Sequence, residues 1–157
     1  MSAPAVSIPT EPLSSAAAEA LARLGDALES PVDRLKRQIA DLEISLRGQR
    51  HLRDSDYVQM RNPMASVQER AEAERWFRTA VANVAFLRGE LARRRAELAA
   101  VTQYETAAVH VVQLAALAAG GQMSDLDADS LAAAEDLMAA AWATLAKAGR
   151  LDLIGGA

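Results

Sequence analysis

The sequence predicts an all-α protein, in which an antiparallel, coiled-coil-like helical hairpin is joined to Ala-rich C-terminal helices in an oligomeric bundle. Three observations favour this fold class. Of the 157 residues, 36 are Ala, 19 are Leu and 15 are Arg, which all form helices readily, whereas β-branched and aromatic residues are scarce. Only 8 Gly and 5 Pro interrupt the chain. The larger apolar side chains recur at helical spacing.

The N-terminal segment predicts a flexible arm over 1–13, because Pro4, Pro9 and Pro12 block a helix there. It lacks a basic region followed by a long apolar stretch, so we expect no signal peptide. A first helix is predicted over 14–29, where leucines recur at helical spacing. No apolar stretch is long enough to span a bilayer, so no membrane partner is expected.

Residues 30–53 predict a second helix with a heptad seam. Ser30 suits the N-cap, Pro31 the first helical position and Asp33 the third. Apolar residues alternate at spacings of four and three, as they do in coiled coils. The seam consists of Leu28, Val32, Leu35, Ile39, Leu42 and Leu46.

A connector is predicted over 54–65, where Asn62-Pro63 breaks the helical pattern. Ser66 and Glu69 then form a capping box that predicts the start of a third helix. No stop signal follows before Gly120-Gly121. A helix of roughly 50 residues needs packing partners along its length, so we expect a kink or break near 100–105.

Antiparallel pairing about this connector matches the seam to apolar residues of the third helix. It places Leu35 opposite Val84, and Leu42 opposite Phe77 within one residue. A parallel homodimeric coiled coil is the alternative. We favour the hairpin because the connector is short and the two apolar stripes agree in register.

The predicted organisation is a single all-α domain over 14–148, with the hairpin at 30–100 and an Ala-rich helical part at 101–148. A fourth helix is expected over 129–148, where Gly149 suits the position after the C-cap, and 149–157 is a C-terminal tail. A buried Ala contributes little apolar area, so we expect self-association to supply further burial.

Charge is uneven: residues 30–100 carry fourteen Lys or Arg and ten acids, and residues 101–157 carry two and seven. The basic middle raises nucleic-acid binding as an alternative function. The candidate residues are Arg47, Arg50, Arg53, Arg93, Arg94 and Arg95. In the expected register Arg47 meets Glu72 and Arg50 meets Glu69, so we favour salt-bridged solvated faces over a phosphate-binding surface or an acidic partner protein.

The sequence is poorly equipped for chemistry. It has no Cys, which excludes a thiolate nucleophile, a disulfide or a Cys-ligated metal. Its two histidines, His51 and His110, form no Glu-x-x-His pattern, and we interpret His110 as a polar residue of a packed helix. No nucleophile elbow or phosphate-binding loop is present. We therefore expect no catalytic residue, no metal and no cofactor.

Four aspartates have the spacing of a calcium-binding loop, at Asp125, Asp127, Asp129 and Asp136. Ser130 stands where such a loop requires Gly, and the last ligand would be Asp instead of Glu. We interpret these acids as the start of a helix, where they interact favourably with the helix dipole.

Partner-binding residues are predicted at Tyr57, Met60, Met64, Trp76 and Trp142, since exposed Met and aromatic side chains suit protein interfaces. The predicted function is a non-enzymatic interaction component: a structural, adaptor or assembly protein of a phage or bacterial complex. It would act through self-association and the hairpin on an unidentified protein partner, in the cytoplasm or in an assembled particle. The alternatives are a small nucleic-acid-binding or DNA-packaging regulator and a metal- or ligand-binding helical bundle.

Overall fold

The computed structural model describes residues 29–155, which form three α-helices, a short 3₁₀ helix and no strand. Helix α1 spans Pro31–Met60, α2 spans Val67–Ala119, α3 spans Asp125–Lys147, and the 3₁₀ helix spans Leu151–Ile154. The all-α prediction is confirmed. The arm predicted at 1–13 and nearly all of the helix predicted at 14–29 lie outside the described residues. Within the described part, no helix is long and apolar enough to cross a membrane.

The turn after α1 is shorter than the predicted connector. Helix α1 continues to Met60, about two turns beyond the predicted end. The chain then reverses, and the amide of Met64 donates to the side-chain oxygen of Asn62 across 3.0 Å. Pro63 disfavours a helical conformation at Asn62, and this local hydrogen bond completes the turn.

Helices α1 and α2 pack side by side in opposite directions. Asn83 donates from Nδ2 to Oε1 of Gln49 across 3.1 Å. Nearer the start of α1, Arg95 donates to Oε1 of Glu43 across 2.6 Å. Residues nearer the C-terminus of α1 therefore contact residues nearer the N-terminus of α2.

The register of these two helices differs from the one that the seam predicts. Leu35 was expected opposite Val84, but it packs with Ala100 and Val101, about two heptads further along α2. A seam that repeats every seven residues matches itself again after each whole heptad. The apolar pattern cannot distinguish such registers, and the later position of the turn decides between them.

Helix α2 has no break, so the interruption expected near 100–105 is wrong. Ser66 caps it in the predicted capping box with Glu69, and it ends at Ala119 before Gly121, whose φ is 66°. The helix stays continuous because it has packing partners on both halves. Helix α1 contacts its first half, and α3 with the 3₁₀ helix contacts the second.

The buried side chains form two clusters along α2. One lies between α1 and α2 and contains Leu46, Val84 and Leu91. In the other, α1, α2, α3 and the 3₁₀ helix meet around Leu35 and Leu145, which are both fully buried. Half of the buried apolar residues are alanines, so the core is thin for the length of the chain.

Helix α3 begins at Asp125, one turn before the predicted start, because Ser124 caps it. It ends at Lys147, and Gly149 has a φ of 67°, as expected for the residue after a helix C-cap. The predicted tail is docked as far as it is described. Leu153 of the 3₁₀ helix is only 4% exposed and lies in the cluster around Leu145.

Candidate functional site

Three of the predicted partner-binding residues lie at the turn between α1 and α2. The Tyr57 ring lies 5.8 Å from the Phe77 ring, and the Arg61 guanidinium lies 4.7 Å above the Tyr57 ring. Met60 is half-buried, whereas Met64 in the turn is 90% exposed. The end of the helix pair therefore presents one fixed aromatic cluster and one free apolar side chain.

The two predicted tryptophans lie far apart. Trp76 on α2 is largely exposed and borders a shallow groove of about 230 Å³ with Leu52. Trp142 on α3 is half exposed and borders a second groove of about 230 Å³ with Tyr104. Trp76 and Tyr104 are separated by about 28 residues of one continuous helix, or roughly 40 Å. The five predicted residues therefore do not form a single site.

The structure separates the predicted nucleic-acid-binding arginines from one another. Consecutive helical residues point about 100° apart, so the three arginines at 93–95 face three directions. Each of these, and Arg53, is held by a carboxylate. The ion pairs are Arg53–Asp54, Arg93–Glu90, Arg94–Glu97 and Arg95–Glu43.

Arg47 and Arg50 remain exposed, and they make no ion pair with any residue of the described part. The predicted pairs Arg47–Glu72 and Arg50–Glu69 are absent there, because the true register carries these acids away from the two arginines. Glu69 instead accepts a hydrogen bond from the amide of Ser66 across 2.7 Å. Both arginines border a groove of about 420 Å³ between α1 and α2.

A buried carboxylate links α2 to the C-terminal 3₁₀ segment. Glu97 is 4% exposed, the only charged residue buried among those described. Its Oε2 accepts hydrogen bonds from Arg150 at 2.8 Å and from Arg94 at 3.1 Å. Arg150 also donates to Asp152 at 3.1 Å. All four groups are satisfied by one another, so the arrangement positions the chain and offers no open coordination site.

A groove of about 640 Å³ lies between α2 and α3. Leu98, Thr106, Ala134 and Leu137 line it, and His110 borders it. His110 is an exposed side chain of α2, a helix that packs against α1 and α3. Arg95 is the other titratable group at this groove, and Glu43 holds it. Such a lining suits contact with an apolar surface.

Of the four aspartates with calcium-loop spacing, Asp125 and Asp127 lie in the first turn of α3, whereas Asp129 and Asp136 lie further along the helix. Asp127 accepts hydrogen bonds from the hydroxyl of Ser124 at 2.6 Å and from its backbone amide at 3.0 Å. These bonds hold the pKa of Asp127 below its ordinary value. Within residues 29–155 no group of three or more His, Asp or Glu side chains is arranged to hold a metal ion.

Comparisons with protein-family models, curated proteins and solved structures found no match. Two kinds of surface residue could not be identified from the sequence. Arg88 is exposed, and the observed register of α1 on α2, marked by the Arg95–Glu43 contact, places it opposite Arg50. Phe86 and Leu126 are 68% and 75% exposed, although their apolar character alone favours burial.

Proposed function

We propose that this protein is a non-enzymatic protein–protein interaction component, with a structural, adaptor or assembly role in the cytoplasm or in an assembled particle. It self-associates, and α1, the turn and the first half of α2 act as a coiled-coil-like hairpin that contacts a partner. One observation carries the proposal: many large apolar side chains are exposed along every helix. They include Ile44, Val58, Trp76, Phe86, Val112, Leu126 and Trp142.

Single exposed apolar residues are common on folded proteins. Many such residues on a chain with a thin core favour an interface. Val109 and Val112 lie one turn apart on α2, 55% and 69% exposed, and the groove between α2 and α3 lies nearby. Trp76 and Phe86 expose similar area on the first half of α2. Self-association would bury such side chains and add to the small area that alanines contribute within one chain.

Light scattering at several protein concentrations tests this proposal. We expect a mass above the 16.7 kDa of one chain, rising with concentration. Leu126→Ser should lower the associated fraction more than Ala128→Ser, which changes an exposed small side chain of the same helix. A mass of 16.7 kDa at every concentration would contradict self-association.

A small nucleic-acid-binding regulator is the second candidate, and the exposed, unpaired state of Arg47 and Arg50 within the described residues favours it. Guanidinium groups that lack a carboxylate partner are available for phosphates. Binding of a DNA oligonucleotide should then weaken steeply as salt is raised, and replacement of both arginines by Gln should abolish it. The absence of binding at low ionic strength would remove this candidate.

A further inference from the structure

Two arginines occupy facing positions on one side of the α1–α2 pair. Glu43 and Arg95 mark that side, since they hydrogen-bond across it at 2.6 Å. One heptad nearer the turn on both helices, the equivalent positions hold Arg50 and Arg88. Like charges at facing positions repel, so this second pair does not stabilise the isolated chain.

Arg47 and Arg50 line a groove between α1 and α2, and the heptad spacing places Arg88 opposite Arg50. We call these three residues the basic groove; all three are exposed and form no ion pair within the described part. One further heptad toward the turn, the equivalent positions hold Tyr57 and Val81, 40% and 42% exposed. Cations beside an apolar surface suit a partner helix whose acidic residues flank an apolar stripe. The phosphates of a nucleic acid would neutralise the cations but would leave the apolar surface exposed to water.

One side of α3, next to the groove that Ala134 and Leu137 line, has the complementary pattern. Leu126 and Leu137 are 75% and 51% exposed, and their separation of about three turns places them on one face. Asp129 and Asp136 flank that face on one side. Both acids are exposed and form no ion pair within the described residues. We call these four residues the acidic face.

The two surfaces cannot meet within one chain. Ala134 of α3 borders the same groove as Ala107 of α2. Ala107 lies about 19 residues beyond Arg88 on a continuous helix, which places it roughly 28 Å away. Only another molecule can bring an acidic face to a basic groove.

We propose that the acidic face of one copy docks in the basic groove of a second copy. Asp129 and Asp136 would neutralise the facing arginines, and Leu126 and Leu137 would cover Tyr57 and Val81. The uneven charge of the chain supports this occupant, since basic residues dominate 30–100 and acids dominate 101–157. This inference rests on the proposed self-association and identifies its surfaces.

Two charge-reversal variants test the docking. The groove variant carries Arg50→Glu and Arg88→Glu, and the face variant carries Asp129→Arg and Asp136→Arg. Each variant alone should lose association, with its mass falling to 16.7 kDa where the wild type is at least twice as heavy. An equimolar mixture should recover a complex, because the reversed charges again complement each other.

Matched controls are Arg75→Glu and Glu135→Arg, which reverse exposed charges outside both surfaces and should leave the mass unchanged. Circular dichroism verifies that each variant keeps its helices. If a variant unfolds, the salt dependence of the wild type tests the docking instead. Docking through these charged side chains requires the mass of the wild type to fall as the salt concentration is raised.

Three results would overturn the docking. If both variants associate like the wild type, the surfaces are wrong but self-association stands. A wild type that is monomeric throughout also removes the proposed function. The third result is a groove variant that still associates but no longer binds a single-stranded DNA oligonucleotide that the wild type binds. The groove would then be a nucleic-acid surface.

Discussion

Arg150 donates a hydrogen bond from Nη1 to Oε2 of Glu97 across 2.8 Å, and this contact holds the C-terminal 3₁₀ segment against the middle of α2. Arg94 donates to the same carboxylate oxygen at 3.1 Å. The Nε of Arg150 is occupied by Asp152. This anchoring places Leu153 in the buried cluster around Leu145.

Arg150→Ala should lower the free energy of unfolding by about 1–3 kcal/mol, because Glu97 loses one of its two charged donors while it stays buried. Urea denaturation measures the change. Arg93→Ala is the matched control, since its pair with Glu90 is exposed and should contribute less to stability. Equal losses in both variants would show that Glu97 does not depend on Arg150.

Leu35→Ala should cost about 2–5 kcal/mol of stability. The Leu35 side chain is fully buried against Val101 and Leu145, where four elements meet, so truncation leaves a cavity. Ile44→Ala on the same helix removes a side chain that is 59% exposed and should cost less than about 1 kcal/mol. Chemical denaturation of both variants measures the difference. A loss at Leu35 as small as that at Ile44 would contradict the observed core.

The two capping boxes should make the protein less stable in acid. Hydrogen bonds from the hydroxyl and amide of Ser66 lower the pKa of Glu69 below 4.5, and those from Ser124 lower the pKa of Asp127 below 3.8. In the unfolded chain these bonds are absent, so the unfolded state binds protons at higher pH. The stabilisation is complete above the unfolded pKa values and is lost as pH falls through the lower folded values.

Thermal unfolding from about pH 6 to about pH 2 measures this loss. A double variant, Glu69→Gln with Asp127→Asn, keeps side-chain acceptors at both caps but removes the titration. Its melting temperature should fall less steeply in acid than that of the wild type. Parallel curves for the two proteins would show that the capping carboxylates do not contribute to the acid loss.

Paired cysteines can test the helix register in solution, because the chain has no Cys of its own. Gln49→Cys with Asn83→Cys replaces two side chains that hydrogen-bond at 3.1 Å, so a short bismaleimide should link them within one chain. Arg47→Cys with Glu72→Cys represents the register that the seam predicts and should remain unlinked. Denaturing electrophoresis and mass spectrometry distinguish the products. Linkage of only the second pair would contradict the structure, and linkage only between chains would favour a parallel homodimer.

Some of the candidate surface could be predicted from sequence. Met64 follows the helix break at Asn62-Pro63, and Trp76 adjoins Phe77 of the apolar stripe; such positions favour exposure. Arg88 could not be found, because its relation to Arg50 depends on which heptads face each other. The expected pairing of Arg47 with Glu72 is wrong for the same reason. That pairing assigned a carboxylate partner to an arginine that has none within the described residues.

The sequence by itself determined the all-α class and most helix ends. The signals at these helix ends act through hydrogen bonds and backbone preferences within about four residues, so they can be predicted from the local sequence. They are Ser66 with Glu69, Asn62-Pro63, and Gly149. Only the tertiary structure decided the register of α1 on α2 and the continuity of α2. Both depend on contacts between distant residues: a heptad seam fits equally well after a shift of whole heptads, and a long helix persists when other elements pack along both of its halves.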